Sequence, residues 1–537
     1  MSLKKNSFIQ GTLISSIFMI IIKILGALYV IPFYKIIGEE GGTLYSYAYS
    51  IYILFLNIST AGIPVAMSMI ISEYIALDML DAKERAKNIG TKLVAILAIV
   101  SFIIVFFGSK KLAAFLLAGA EGGHSIAEVA TVIKVTSFCL LIIPFLSILR
   151  GYLQGHKYIT ITTFAQVIEQ VVRIIVVLLG SYTTIKILKC STEIGVSVAL
   201  TGAFLGGLAA YIYLKLKIKN NKDNFQKSDK KDSVEDKVIL KKIISYCVPI
   251  VMISIIDNIY TLIDIRLIVK GLSLAGFSAL ESQTISSVIA TWAPKICTII
   301  IAISMSLTTN IIPHITSSFV KKDYEKVNKG INQALSTLLV ITVPMTLLLI
   351  LLSKESYYLF YGNSKYGTII LAFSAMSHIF LGIWSIFNSI LQSLKKFELI
   401  YLNSVIGLVT NAILDIPLIL LLKKLGLPPY IGTVIATCIG YIVSISIVLF
   451  SLNKVMKFDY SYTINTIKKL ILPVILIIIV LSISRKLVSI EYNAINVILY
   501  LGINGLIGSG IYLFFTYKNK LIEDIFGKDF LKKLIKR

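Results

Sequence analysis

Runs of about 20 apolar residues recur from one end of the 537-residue chain to the other, the length a helix needs to cross a bilayer. Hydrocarbon offers no water to an unpaired backbone amide, so runs of this kind fold as helices or closed barrels. Barrel strands would be short and would alternate apolar with polar residues, a pattern absent here. The chain is 56% hydrophobic, and the fold class that follows is all-α and polytopic. Fourteen candidate transmembrane helices can be placed, the first at 10–37, the second at 43–71, the fifth at 159–185, the seventh at 243–265, the eighth at 285–318 and the last at 494–516. The apolar run near the start is too long for a secretion signal, and no small-residue cleavage site follows it, so it reads as a retained first span.

Six spans precede the polar stretch "KLKIKNNKDNFQKSDKKDSVEDKVILKK", six follow it, and two more lie beyond a basic junction. This predicts an N-terminal six-helix lobe over 1–218, a solvated linker over 219–241, a C-terminal six-helix lobe over 242–453, and two extra helices with a basic tail over 454–537. The halves echo each other. "GYLQGHKYITITTFAQVIEQVV" in the first parallels "SILQSLKKFELIYLNSVIGLVT" in the second, at the same ordinal place. Halves with an even number of spans share one membrane orientation, the plan of a transporter that rocks two bundles about a central cavity.

Net charge is +24, and its placement carries the information. With the N-terminus in the cytoplasm, roughly 35 of the 52 Lys+Arg fall on the cytoplasmic side and roughly 13 outside. Both termini are therefore expected in the cytoplasm. No soluble domain exists to present a nucleic-acid surface, so nucleic acid is not an expected partner. The five cysteines and four histidines are scattered without metal or disulfide spacing, and no phosphate-binding glycine loop or nucleophile motif appears. No cofactor and no enzymatic constellation is expected.

Charges within the spans carry the functional signal, because each costs roughly 2.5–3.5 kcal/mol at bilayer depth on insertion scales. Glu169 and Arg173 are four residues apart and share one helix face. Gln166 and Gln170 lengthen that polar stripe. Two readings are open: an intrahelical pair that only orders the fifth span, or part of a wet cavity wall. Lys23 stands alone in the first span, with Asn57 at comparable depth in the second. In the seventh, "SIIDNIYTLIDIRLI" aligns Asp257, Thr261 and Asp264. These carboxylates are candidate counterions for Lys23 or Lys295, or ligands of a coupling cation. Lys295 follows Pro294 in the eighth span, and Lys134 lies within the fourth, where its stem can reach the interface. A cavity bordered by cations suits a substrate bearing phosphates.

Taken together, these residues carry a resemblance. "RGYLQGHKYITITTFAQVIEQVVRI" resembles the RGxxQG…QxxEQxxR signature of the MurJ-like and stage V sporulation protein B-like branch of the multidrug/oligosaccharidyl-lipid/polysaccharide (MOP) exporter superfamily. "GTLISSIFMIIIKILGALYVIPFYKIIGEEGG", with the following "STAGIPVAM", is similar to that family's first two helices. The resemblance implies two six-helix lobes in a V, as in MATE transporters, plus two helices. It also implies translocation of undecaprenyl-pyrophosphate-linked precursors, lipid II in MurJ-like members. It places the family's helix-one basic residue at Lys23, where lysine replaces the commoner arginine, and its helix-eight basic residue near Lys295. The expected function is a lipid II flippase of the cytoplasmic membrane, driven by a coupling cation or the membrane potential. The alternatives are export of another polyprenyl-linked polysaccharide, cation-coupled drug export, and a scaffold for wall enzymes.

Overall fold

The computed structural model describes residues 18, 21–22, 25–26, 28–60, 62–119, 123–221, 225, 232, 234–298, 300, 323–394, 396–488 and 490–521. Every regular element among them is helical. Ten helices are long and apolar enough to cross a membrane, or eleven when one bent helix is counted as a single span. Phe107, Leu179, Leu487 and Leu506 are each more than 60% exposed, and outward-facing side chains of this size need hydrocarbon around them. The protein is therefore a multi-pass membrane protein.

Nine labelled helices occupy the first half: α1 (Val30–Thr60), α2 (Ile63–Ala76), α3 (Leu80–Leu117), α4 (Ile126–Ser137), α5 (Ile143–Gly155), α6 (Ile159–Tyr182), α7 (Thr192–Lys219), α8 (Asp236–Leu274) and α9 (Ala279–Ser287). Seven follow: α10 (Tyr324–Leu351), α11 (Ser353–Tyr361), α12 (Gly367–Ser393), α13 (Phe397–Lys424), α14 (Ile431–Met456), α15 (Ser461–Leu487) and α16 (Ala494–Lys518). Local chemistry sets many of the boundaries. Ser125 and Glu128 close a capping box at α4, and Ser191, Asp323 and Asn493 cap α7, α10 and α16. Pro64 and Pro144 occupy the first turns of α2 and α5, where no amide hydrogen is missed.

The difference between ten or eleven spans here and fourteen in the sequence has identifiable sources. Part of the first candidate span and most of the eighth fall outside the described residues. The second is divided between α1 and α2 by the break at Gly62, whose φ is 75°. The seventh is α8, bent by 40° between Val248 and Val251. α1 itself runs through a kink at Gly38, with φ 69° and ψ −174°, a region open essentially to glycine alone. A Cβ there would touch nothing within 4 Å, so the cost of a side chain is purely conformational. Gly38→Ala should lower unfolding stability by about 1–3 kcal/mol, read from thermal melts of the purified protein.

By contacts the chain forms two compact units, one of Met1–Ser273 with Phe277–Ser287 and one of Leu274–Gly276 with Val288–Arg537. This boundary falls after α9, beyond the 219–241 linker. The reason is packing: Ile239, Ile243 and Cys247 of α8 are buried in one apolar core with Met67 and Ile70 of α2 and Leu153 of α5. Within the first unit α6 and α7 are closely paired, and within the second α13 and α14 are. Both pairs are tight because small residues face backbone. A Cβ on Gly202 or Gly206 of α7 would lie 2.9 Å or 2.5 Å from a carbonyl oxygen of α6. One on Gly440 of α14 would lie 2.8 Å from the Gly407 carbonyl of α13. The internal sequence echo makes α6 and α13 equivalent, and each is paired with the helix that follows it in the chain.

Candidate functional site: an arginine–glutamate–arginine bridge

The tight turn after α5, with Lys157 at φ 66°, sends the chain back as α6. Arg150 of α5 is thereby brought to Glu169 of α6. Arg150 Nη2 donates to Glu169 Oε2 at 2.5 Å, and Arg173 Nη2 donates to Oε1 at 2.5 Å. Each carboxylate oxygen thus accepts one charge-assisted bond, the strong class of hydrogen bond. The side chains of Arg150, Glu169 and Arg173 are 14%, 13% and 28% exposed. One carboxylate against two guanidiniums leaves a net charge of +1. Arg150 Nε and Arg173 Nε are both buried, and neither has a hydrogen-bond partner in the structure. Both oxygens of Glu169 are therefore engaged by a guanidinium, and each arginine keeps donor capacity.

A tyrosine stripe adjoins the bridge. Tyr45, Tyr49 and Tyr52 recur at i, i+4 and i+7 on α1, with ring centroids 5.6 Å and 6.1 Å apart in succession. Tyr29, Tyr49 and Tyr52 lie within electrostatic range of the Arg173 guanidinium. Gln170 is buried, and its Nε2 would stand 3.4 Å from a Cβ added at Gly26. The polar face of α6 is thus turned toward the first span, with phenols beside the cations. Phenol hydroxyls and guanidinium nitrogens can both donate to phosphate oxygens.

The other residues singled out from sequence are placed as follows. Lys23 lies outside the described residues. Asn57 is half-buried on α1, and Asp264 is half-buried on α8. Asp257 is on α8, with its side chain outside what the structure describes. Lys134 sits in the last turn of α4, its Nζ 5.7 Å from the Phe106 ring centre. In the second unit, Lys295 Nζ is 4.2 Å from the ring centre of Trp292, which is fully buried and whose carbonyl accepts from the Tyr361 hydroxyl. Among these residues, Glu169 and Arg173 are joined directly.

Arg150 and the tyrosine stripe were not in the sequence-based set. Arg150 opens the quoted RGxxQG run, but its place near a span end reads as an interfacial charge. The stripe had a signal in the heptad-like tyrosine spacing. Asp415 is a further omission. It is fully buried on α13, with Asn411 Nδ2 at 3.4 Å from its Oδ2, and it meets the same criterion of an acid inside a span. No group of three or more potential metal-ligating His, Cys, Asp or Glu side chains occurs among the described residues.

Comparisons with known proteins agree with this architecture. Residues 8–270 match the family model for polysaccharide biosynthesis proteins. The chain is 28% identical over 536 residues to lipid II flippase MurJ of Bacillus subtilis (strain 168), covering 97% of both chains. It is 24% identical over 409 residues to stage V sporulation protein B of the same organism, covering 75% of this chain and 76% of the relative. Among solved structures, lipid II flippase MurJ in an inward closed conformation superposes with a TM-score of 0.64 at 19% identity, over 95% of this chain and 99% of that one. A MATE-family transporter of the MOP superfamily superposes at 0.61 with 14% identity, over 82% of this chain and 96% of the other. By whole-length sequence similarity the chain is related to lipid II flippase MurJ, and its fold is similar to that of MurJ and of transporters of the MOP superfamily.

Proposed function

We propose that the protein is a flippase that carries undecaprenyl-pyrophosphate-linked peptidoglycan precursor, lipid II, across the cytoplasmic membrane by alternating access. The observation that carries this reading is the bridge of Arg150, Glu169 and Arg173. One carboxylate outnumbered by two guanidiniums leaves a net positive site that disfavours a cationic drug and favours an anion, and the guanidinium Nε donors have no partner within the protein. An unaided pyrophosphate would have to shed its hydration entirely, at a cost far beyond thermal energy. Fixed guanidiniums replace that hydration, and the planar fork matches phosphate oxygens better than an ammonium does. The MurJ relative's activity, carried over to this chain, agrees with that electrostatic preference.

The full arrangement in this reading has fourteen spans, six in each of two lobes and two at the C-terminal end, with both termini in the cytoplasm. Lys23 and Lys295 add cations to the path, Asn57 and Lys134 line it, and Asp257 and Asp264 hold counterion or coupling-cation roles. The membrane potential is a sufficient drive, because one charge moved through 100 mV is worth about 2.3 kcal/mol. The decisive experiment depletes the protein and measures the sidedness of lipid II with a label that cannot cross the membrane. Lipid II should accumulate on the inner face within one generation. Normal sidedness, with a different polyprenyl-linked glycan trapped inside, would transfer the proposal to that cargo.

A further inference from the structure

By composition the stretch between α7 and α8 is a passive solvated linker, yet its described residues are fastened to the first unit at several points. Helix α3 begins after Met79, with no side-chain cap of its own. The missing cap comes from 150 residues away: Ala82 N donates to Asp232 Oδ2 at 2.8 Å, and Asp232 N donates to Asp81 Oδ2 at 3.2 Å. This is the reciprocal bonding of a capping box, built across the fold instead of within one turn. Arg85 closes it, donating from Nε to Asp81 at 2.8 Å, from Nη1 to Asp236 at 2.7 Å and from Nη2 to the Asp232 carbonyl at 3.2 Å. Lys242 pairs with Glu73 of α2. Before this ionic clasp, Phe225 is buried among the rings of Tyr152, His156 and Tyr158, at centroid distances of 5.7, 5.1 and 5.6 Å.

What the clasp holds is the first arm of α8. The helix bends by 40° between Val248 and Val251, where the sequence has Pro249, so residues 236–248 form a separate lever. Proline removes a backbone bond and lets a helix hinge. The lever's inner face, Ile239, Ile243 and Cys247, is buried in the core shared with α2 and α5. Its outer fastenings are ionic and wet: the Arg85 side chain is 26% exposed and that of Asp236 is 66% exposed. Such pairs are individually weak and screened by salt. A lever held by a dry face and a screened clasp, next to a hinge, is suited to repeated release.

We propose that Phe225, Asp232, Asp236 and Lys242, gripping Arg85, Asp81 and Glu73, form a releasable strap that pins the first arm of α8 to α2 and α3, and that its opening is a step of the transport cycle. No substrate residue belongs to it, and the transport part alone rests on the flippase reading. Cys247 is a native reporter, 7% exposed behind the strap, and Cys139, fully buried on the turn after α4, is an internal control for folding. The full-length protein is treated with a maleimide and each cysteine is quantified by peptide mapping. Arg85→Ala and Asp232→Ala should each raise the Cys247 labelling rate at least threefold with Cys139 unchanged. Wild-type Cys247 labelling should rise with added sodium chloride, and that dependence should vanish in Arg85→Ala. Asp232→Asn, which keeps an acceptor for Ala82, should stay close to wild type. In reconstituted vesicles Arg85→Ala should lower lipid II turnover at least threefold. Unchanged Cys247 labelling in both alanine variants would overturn the strap. Faster labelling with wild-type turnover would remove it from the cycle. If the wild type itself moves no lipid II, the flippase reading fails while the labelling still decides whether the strap exists.

Discussion

Converting Arg150, Glu169 and Arg173 together to glutamine should abolish lipid II translocation while the protein remains folded in the membrane. Single substitutions cannot separate charge from structure here. Removing one arginine leaves Glu169 with a vacant oxygen, and removing Glu169 leaves two guanidiniums facing each other. Breaking a buried pair on one side costs about 3–5 kcal/mol, much of it from the stranded partner. The triple change removes all three charges at once and leaves amides that can bond one another, so no stranded charge remains. Replacing an ionic triad by neutral residues is often close to neutral for stability. Loss of two charged donors to phosphate, at about 1.5–3 kcal/mol each, corresponds to at least a 100-fold drop in translocation. The measurement pairs a thermal melt with an assay of lipid II sidedness in depleted cells. Wild-type translocation by the folded triple variant would reduce the bridge to a strut. A graded companion is Arg173→Lys, which keeps the charge and loses the fork; it should transport at an intermediate rate.

The bridge shows which parts of this site can be read from a sequence. Glu169 and Arg173 are legible because i, i+4 spacing fixes their proximity within a single helix, whatever the helix packs against. Arg150 is not legible in the same way: it reaches Glu169 through the turn at His156–Tyr158 and the mutual packing of α5 and α6, which no local rule supplies. The same division holds elsewhere. Apolar run length places most spans, since backbone satisfaction in hydrocarbon leaves few alternatives. It also separates the first two candidate spans between 37 and 43, and the non-helical Gly38 falls in that gap. Composition reads the 219–241 stretch as solvated, and the Asp236 side chain is 66% exposed. It could not indicate that Asp232 caps a helix that starts at Leu80, since the donor at Ala82 becomes a partner only in the folded chain.

Lengthening the side chain at Gly206 should be the most damaging single change to the first unit. A Cβ there would stand 2.5 Å from the Glu169 carbonyl oxygen and 3.3 Å from the Arg173 amide nitrogen. Both atoms are backbone, so neither can swing aside, and α7 must back away from α6. Gly202, one turn earlier, meets the Arg173 carbonyl at 2.9 Å, so the two glycines form one small-residue seam with a four-residue period. Overpacking of a single methyl into such a seam costs about 1–3 kcal/mol, and a branched side chain costs more. Gly206→Ala should therefore lower the melting temperature, and Gly206→Leu should remove most of the protein from the membrane. The residues displaced are the carriers of the bridge, so Gly206→Ala should lose translocation beyond what its stability loss explains. Gly505→Ala on α16 is the matched control: an added Cβ there meets nothing within 4 Å, and alanine favours the helix by up to about 1 kcal/mol. It should leave the melt equal to wild type or slightly higher. If Gly206→Ala melted and transported like Gly505→Ala, the α6–α7 contact would not be what positions Glu169, and the bridge would need another support.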